Sequence, residues 1–212
     1  SADCEVPPDV DEICRTPGFW KAHAGVEKDG RSTNLTQTVI DYSDDTFGTG
    51  DDTFGLGTIC GVQITDTTTY DYTGTGVGDS NGAESAVEGM CVHPKTLSVR
   101  QLQRQLIAAA INCVVSGGGP DCTGVSVEAD WQAANADCAN DEVGNWIDII
   151  DSFNNGYYPG SNCSPNIKES SVFDEIIAAG KKVPGPAGSS NACSEATGND
   201  WYLVPDVGLW TK

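Results

Sequence analysis

The chain has 212 residues, enough for one sizeable core, and sets 11 Lys and Arg against 31 Asp and Glu, giving a net charge of −20 and a pI near 4.1. Phosphate recognition needs clustered Lys and Arg, so this balance argues against nucleic acid and anionic membrane surfaces as partners. The longest apolar patch, Leu106 to Ile111, falls far short of the ~20 residues of a membrane-spanning helix.

Ser1-Ala2-Asp3-Cys4 reads as a mature end left by signal-peptide cleavage. Residues 1–14 are acidic, contain Pro7-Pro8 and read as an extended arm. Thr16-Pro17-Gly18-Phe19-Trp20 then opens a short helix, with Thr16 as N-cap, Pro17 at the first helical position and Gly25 as the stop. Residues 31–65 read as strand-like. Leu35 to Tyr42 is rich in Thr, Val and Ile, and Cys60, Val62 and Ile64 alternate with Gly61 and Gln63 at the period of a half-buried strand. Between them lies a tandem heptad, Asp44-Asp45-Thr46-Phe47-Gly48-Thr49-Gly50 followed by Asp51-Asp52-Thr53-Phe54-Gly55-Leu56-Gly57. Residues 66–89, made of Thr, Gly, Asp and Ser with two Tyr, read as an exposed Gly/Thr-rich loop.

The second half reads as helical. Ser98 to Cys113 places Val99, Leu102, Leu106, Ala109 and Cys113 on one buried stripe, and Gly117-Gly118-Gly119-Pro120 ends it. Further helices are expected over Ser126–Cys138, with Trp131, Ala134 and Cys138 on one face, over Glu142–Phe153, and over Ser171–Ala179. Residues 195–212 form an extended aromatic tail in which Pro205 disfavours a central strand. The expected fold is one α+β domain spanning 1–212, stapled by disulfides, with a strand- and loop-rich N-terminal half beside a helical C-terminal half.

Nine cysteines, Cys4, Cys14, Cys60, Cys91, Cys113, Cys122, Cys138, Cys163 and Cys193, are spread over the chain without any Cys-x-x-Cys. That spread suits a disulfide framework and an oxidising compartment, with eight of the nine in bridges whose pairing the spacing leaves open. The odd count leaves one thiol free or bound to another chain.

Few constellations carry chemistry. Gly78-Asp79-Ser80-Asn81-Gly82 has the Gly-x-Ser-x-Gly form of a nucleophile elbow. It lacks the strand before and the long helix after that expose such a serine, and only His23 and His93 exist to serve as base. Two His about seventy residues apart make a poor zinc set, and Cys-x-x-Cys-His is absent, which argues against covalent c-type haem. Calcium is the better metal: Asp44, Asp45, Asp51 and Asp52 supply hard oxygen ligands in a Gly-rich stretch, although EF-hand and calcium β-roll spacings are missing. Asn34-Leu35-Thr36 and Asn162-Cys163-Ser164 are glycosylation sequons. Trp131 and Trp146 fall on helix stripes and read as core. Trp201, Tyr202 and Trp210 in the tail are candidates for docking on a neighbouring subunit as an added strand.

Cys14-Arg15-Thr16-Pro17-Gly18-Phe19-Trp20-Lys21-Ala22-His23 resembles the segment Cys-x-x-Thr-Pro-Gly-(Tyr/Phe)-Trp-Lys-x-His that opens domains of a group of secreted bacterial proteins of unknown function. The resemblance continues in Thr46-Phe47-Gly48, in Cys60-Gly61-Val62 and in the helix from Leu102 to Asn112, and covers about a quarter of the chain. It departs after His23, where Ala24-Gly25 stands in place of a frequent Pro. It implies an extracellular or cell-surface location and brings no catalytic residues.

The resulting expectation is a non-enzymatic extracellular protein, exported by a cleaved signal peptide, that self-assembles into a filament, sheath or surface layer. Its partners are then copies of itself, with glycan or cell-surface contact as a further partner class. The alternatives are a cell-surface adhesin or calcium-dependent carbohydrate-binding module and, remotely, a secreted serine hydrolase using Ser80.

Overall fold

A computed structural model describes residues 12–23, 35–48, 55–64, 89–90 and 98–180. Strand β1 (Glu12–Ile13) leads into helix α1 (Pro17–Ala22) and helix α2 (Leu35–Phe47), then strands β2 (Gly57–Ile59) and β3 (Val62–Ile64). Helices α3 (Ser98–Val115), α4 (Glu128–Cys138) and α5 (Trp146–Asn154) follow, then strand β4 (Cys163–Ser164), a 3-10 turn (Ile167–Glu169) and helix α6 (Phe173–Gly180). The fold is thus mixed α and β with small sheets. Residues 1–11 of the expected arm, Gly25, residues 66–88 of the expected loop and the tail 195–212 lie outside the described residues.

Helix α3 is the centre. Helices α1, α2, α4 and α5 and strand β1 all pack on it. The expected single stripe is too narrow: every residue from Leu106 to Ser116 is buried, Asn112 included. Ala108, Ala109 and Ala110 look like a neutral face in sequence, but their small side chains let neighbours close in on all sides. Helix α3 ends at Gly117, whose φ of +85° is open to glycine. At the next residue a Cβ on Gly118 would lie 2.6 Å from Val125 and 2.7 Å from the Thr123 carbonyl, so only glycine lets the chain fold back there.

Helix α2 corrects the strand expected over Leu35–Tyr42 and makes the described N-terminal half more helical than expected. Its Thr, Val and Ile residues favour strands locally. Yet Leu35, Thr36, Val39, Ile40, Ser43 and Asp44 recur at helical spacing and are all buried. Docking decides the outcome: the Thr36 hydroxyl donates to the Trp20 carbonyl at 2.6 Å, and the Thr36 N–H donates to the His23 carbonyl at 3.1 Å. Helix α1 begins as expected, with Thr16 accepting from Phe19 N–H and Pro17 following. It ends at a His23 cap.

The alternation at Cys60–Ile64 resolves into a hairpin. Strands β2 and β3 pair antiparallel with Ile59 opposite Val62, around a turn in which Cys60 and Gly61 have φ of 52° and 77°. Two positive φ values match the right-handed strand twist of a two-residue hairpin. Asn135 of α4 holds this turn, accepting from Cys60 N–H at 2.7 Å and donating to the Thr58 carbonyl at 3.0 Å. Strands β1 and β4 pair in parallel, Glu12 with Cys163 and Ile13 with Ser164. The buried Glu12 carboxylate accepts from Ser126 N–H at 2.6 Å and Ser126 Oγ at 2.7 Å, tying β1 to the approach of α4. Trp131, Ala134 and Cys138 form the buried face of α4, as expected.

Three disulfides join these pieces: Cys14–Cys163, Cys60–Cys138 and Cys113–Cys122, with sequence separations of 149, 78 and 9. Loop-closure entropy grows with separation, so the three are expected to contribute about 5, about 4.5 and about 2.6 kcal/mol respectively. Non-reducing proteolysis with mass spectrometry should recover these three pairs. Urea unfolding of paired Cys→Ser variants should rank them in that order.

Tyr158, in the loop after α5, donates to Asp130 Oδ2 of α4 at 2.8 Å. Burial, then the bond to the Asp130 carboxylate and its charge, push the phenol up to about 12. A raised phenol pKa favours the protonated, folded form. Its stabilisation is therefore whole below pH ~10 and fades as pH climbs from about 10 to about 12. Tyr158→Phe should be less stable at neutral pH and should lose this part of the alkaline dependence, read by thermal melts across pH 8–12.

Candidate functional site

A buried polar network lies where α1, α3 and α5 meet. At the centre is Asn112, fully buried within α3. Its Oδ1 accepts from Trp20 Nε1 at 2.9 Å and from Arg15 N–H at 3.0 Å. Its Nδ2 donates to the Arg15 carbonyl at 2.8 Å and to Asn154 Oδ1 at 2.9 Å. A primary amide offers two donors and two acceptor lone pairs, so all four positions are filled. Asn154 then passes the network on. Its Nδ2 donates to the Gln105 carbonyl at 3.0 Å and to Gln105 Oε1 at 2.8 Å, and Gln105 Nε2 donates to Asp151 at 2.8 Å. One turn beyond Asn112, Ser116 Oγ donates to the Asn112 carbonyl at 2.8 Å and accepts from Ile13 N–H at 2.9 Å, drawing β1 into the same assembly.

The local sequence places each part. Thr16 and Pro17 fix the start of α1 so that Trp20, on its first full turn, faces α3. Arg15 directly precedes the extended Thr16 cap, and its amide and carbonyl both reach Asn112. Asn154 closes the last turn of α5 with Gly156 beyond it, at a φ of 78°.

Outside this buried node, α1 presents a graded stack. The Arg15 guanidinium lies 4.2 Å from the Phe19 ring centre, and Phe19 stacks on His23 with centroids 4.1 Å apart at 29°. A cation over a ring face is attracted by the ring quadrupole. His23 Nδ1 lies 2.8 Å from the Phe19 carbonyl. Elsewhere on α1, burial and then the charge of Arg104 hold the Lys21 ammonium below its ordinary range. Burial likewise lowers Arg104, against the opposing pull of Asp151.

The sequence-derived candidates fare differently. Trp20, His23 and Asn112, quoted from two segments 92 residues apart, are brought into one region. His23 caps α1 and belongs to its ring stack. Asp44 and Asp45 lie within helix α2 rather than in a loop, the first buried and the second exposed. Asp51 and Asp52 lie outside the described residues, and among the described residues no group of three or more His, Cys, Asp or Glu is placed to hold a metal ion. Also outside are Ser80, His93, Cys4, Cys91, Cys193, Trp201, Tyr202 and Trp210. Asn162 of the second sequon is exposed next to the bridged Cys163, and its carbonyl accepts from Glu12 N–H at 3.0 Å. Trp146, read as core, is only half buried and donates to Asp137 Oδ2 at 2.7 Å. Among the described residues no helix is long and apolar enough to cross a membrane.

The sequence reading missed Asn112 as a centre, together with Asn154, Gln105 and Arg104. The one available signal was a polar residue inside the apolar pattern of α3, the position at which a buried amide must find partners.

Removing the Asn112 amide strands the Trp20 indole N–H, both backbone groups of Arg15 and Asn154 Oδ1 in a dry interior. Asn112→Ala is therefore expected to cost about 3–5 kcal/mol, measured by urea unfolding under non-reducing conditions. In a double-mutant cycle with Trp20→Phe, the two losses should be strongly non-additive.

No family model, curated protein or solved structure matches this chain.

Proposed function

We propose that this protein is a non-enzymatic extracellular structural subunit that assembles with copies of itself into a filament, sheath or surface layer. The observation that supports this reading is how the node spends its polar groups. All four hydrogen-bonding positions of Asn112 and the indole N–H of Trp20 are taken by other parts of the same chain. A reaction centre keeps a donor, acceptor or nucleophile facing its substrate. Here the same residue types act as a clamp between helices.

Two further features agree with a durable extracellular part. Three disulfides cross-link the described residues, and such bridges form and persist in oxidising compartments. They use six of the nine cysteines, and the remaining Cys4, Cys91 and Cys193 cannot all pair within one chain. A sulfur left over in each subunit suits covalent or close self-association. Contacts between different faces of identical subunits, when they do not close into a ring, extend into filaments.

Negative-stain electron microscopy of the non-reduced protein, with and without EDTA, tests the reading. Regular filaments or sheets are the expected result, and their loss in EDTA would add a calcium role. Dispersed single particles in both conditions would sink self-assembly and favour a glycan-binding surface module instead.

A further inference from the structure

An asparagine followed by glycine can modify itself. The glycine amide nitrogen attacks the asparagine side chain, and no Cβ on the glycine stands in its way. The chain has two such pairs, Asn81-Gly82 and Asn155-Gly156, and the second lies among the described residues, at the end of α5. Asn155 and Gly156 are both exposed, so water and hydroxide reach the reacting groups.

The end of α5 withholds the nucleophile. Gly156 N–H donates to the Phe153 carbonyl at 2.9 Å and Tyr157 N–H to the Ser152 carbonyl at 2.7 Å, with Gly156 at a φ of 78°. These are the paired bonds of a Schellman cap. The Asn155 side chain is turned back onto the helix, its Nδ2 donating to the Asp151 carbonyl at 2.9 Å. At an Asn155 ψ of 0° the Gly156 nitrogen eclipses the Asn155 nitrogen, away from the Cβ side on which a ring must close. Cyclisation needs nitrogen and Cγ in a near-attack arrangement, so the intact cap keeps them apart. The loop that follows returns against this cap: a Cβ on Gly156 would lie 3.4 Å from Cys163 Cβ. Tyr158 anchors that loop to Asp130 at 2.8 Å, and the Cys14–Cys163 bridge holds its far end.

We infer that Asn155 is a latent self-modification site, silent while the α5 cap is closed and deamidated when the cap opens. In the opened chain the Gly156 nitrogen gives its proton to solvent base and bonds to Asn155 Cγ. The Cγ–Nδ2 bond breaks and ammonia leaves. Water then opens the succinimide at either carbonyl, giving aspartate or isoaspartate with no change of oxidation state. The new carboxylate has lost the donor to the Asp151 carbonyl and sets a negative charge at the negative end of α5. Isoaspartate also lengthens the backbone by one carbon, which puts the capping bonds out of register. The adjacent Asn154 joins α5 to Asn112, so the product marks chains in which this junction has opened and opposes its closing again.

The test incubates the full, non-reduced chain in mildly alkaline buffer, folded or unfolded in guanidinium chloride. Peptide mapping by mass spectrometry follows Asn155, and isoaspartyl methyltransferase labelling counts isoaspartate. The folded chain is expected to react at least about tenfold more slowly than the unfolded one, because it reacts only through local opening. Tyr158→Phe, which lacks the loop anchor, should react faster than folded wild type, whereas Tyr157→Phe, altered at an exposed ring, should match it. Equal rates in the folded and unfolded wild-type chain would overturn the gating. An unfolded chain that keeps Asn155 intact would overturn the site itself. Neither comparison needs a variant to fold. Tyr158→Phe reacting at the wild-type rate would overturn the loop anchor as part of the gate.

Discussion

A single buried amide governs this architecture. Asn112 sits where α3 passes under α1 and α5, and its four hydrogen bonds reach the backbone before α1, an indole on α1 and an amide on α5. Hydrophobic burial alone would let these helices slide over the alanine-rich surface of α3. A buried polar group does not tolerate sliding, because a shift of one residue leaves donors and acceptors unpaired in a dry interior. The apolar core supplies the driving force and Asn112 supplies the register. Ser116 extends the same logic by one turn, holding β1 through Ile13 N–H.

The covalent links follow this arrangement. Cys14 immediately precedes Arg15, whose backbone is gripped by Asn112, and Cys163 lies on the strand paired with β1. Cys60 occupies the hairpin turn that Asn135 holds against α4, and Cys138 ends that helix. At these two bridges a hydrogen bond sets the backbone beside the cysteine. Cys113–Cys122 instead closes the turn after α3, with Cys122 Sγ 3.7 Å from the Ala109 carbonyl.

Much of the fold was legible in the sequence where local and tertiary preferences agree. Thr16 and Pro17 mark the start of α1, the 3-4 spacing from Val99 onward marks α3, and Trp131, Ala134 and Cys138 mark the inner face of α4. Legibility failed where tertiary contacts outvote local ones. Thr36, Thr38, Val39 and Ile40 favour a strand on their own, and become helix because Thr36 docks on the end of α1. The central node was half legible. Trp20 and Asn112 each stand in a recognisable segment, but no periodicity or spacing says that residues 92 apart share a hydrogen bond. Disulfide partners are likewise a property of distance, which composition does not carry.

The separations of the three bridges impose an order on how the molecule is made. A chain synthesised from its N-terminus produces Cys14 long before Cys163, 149 residues later, whereas Cys113 and Cys122 emerge almost together. Throughout that interval Cys14 coexists with Cys4, Cys60 and other thiols that are nearer in sequence and present sooner. A bridge formed on first encounter would trap it with the wrong partner and require exchange. In the folded chain Arg15, next to Cys14, is held by Asn112, and that grip needs α3 complete. The longest covalent latch therefore cannot close before residue 163 has emerged, by which point all of α3 is available to hold Arg15.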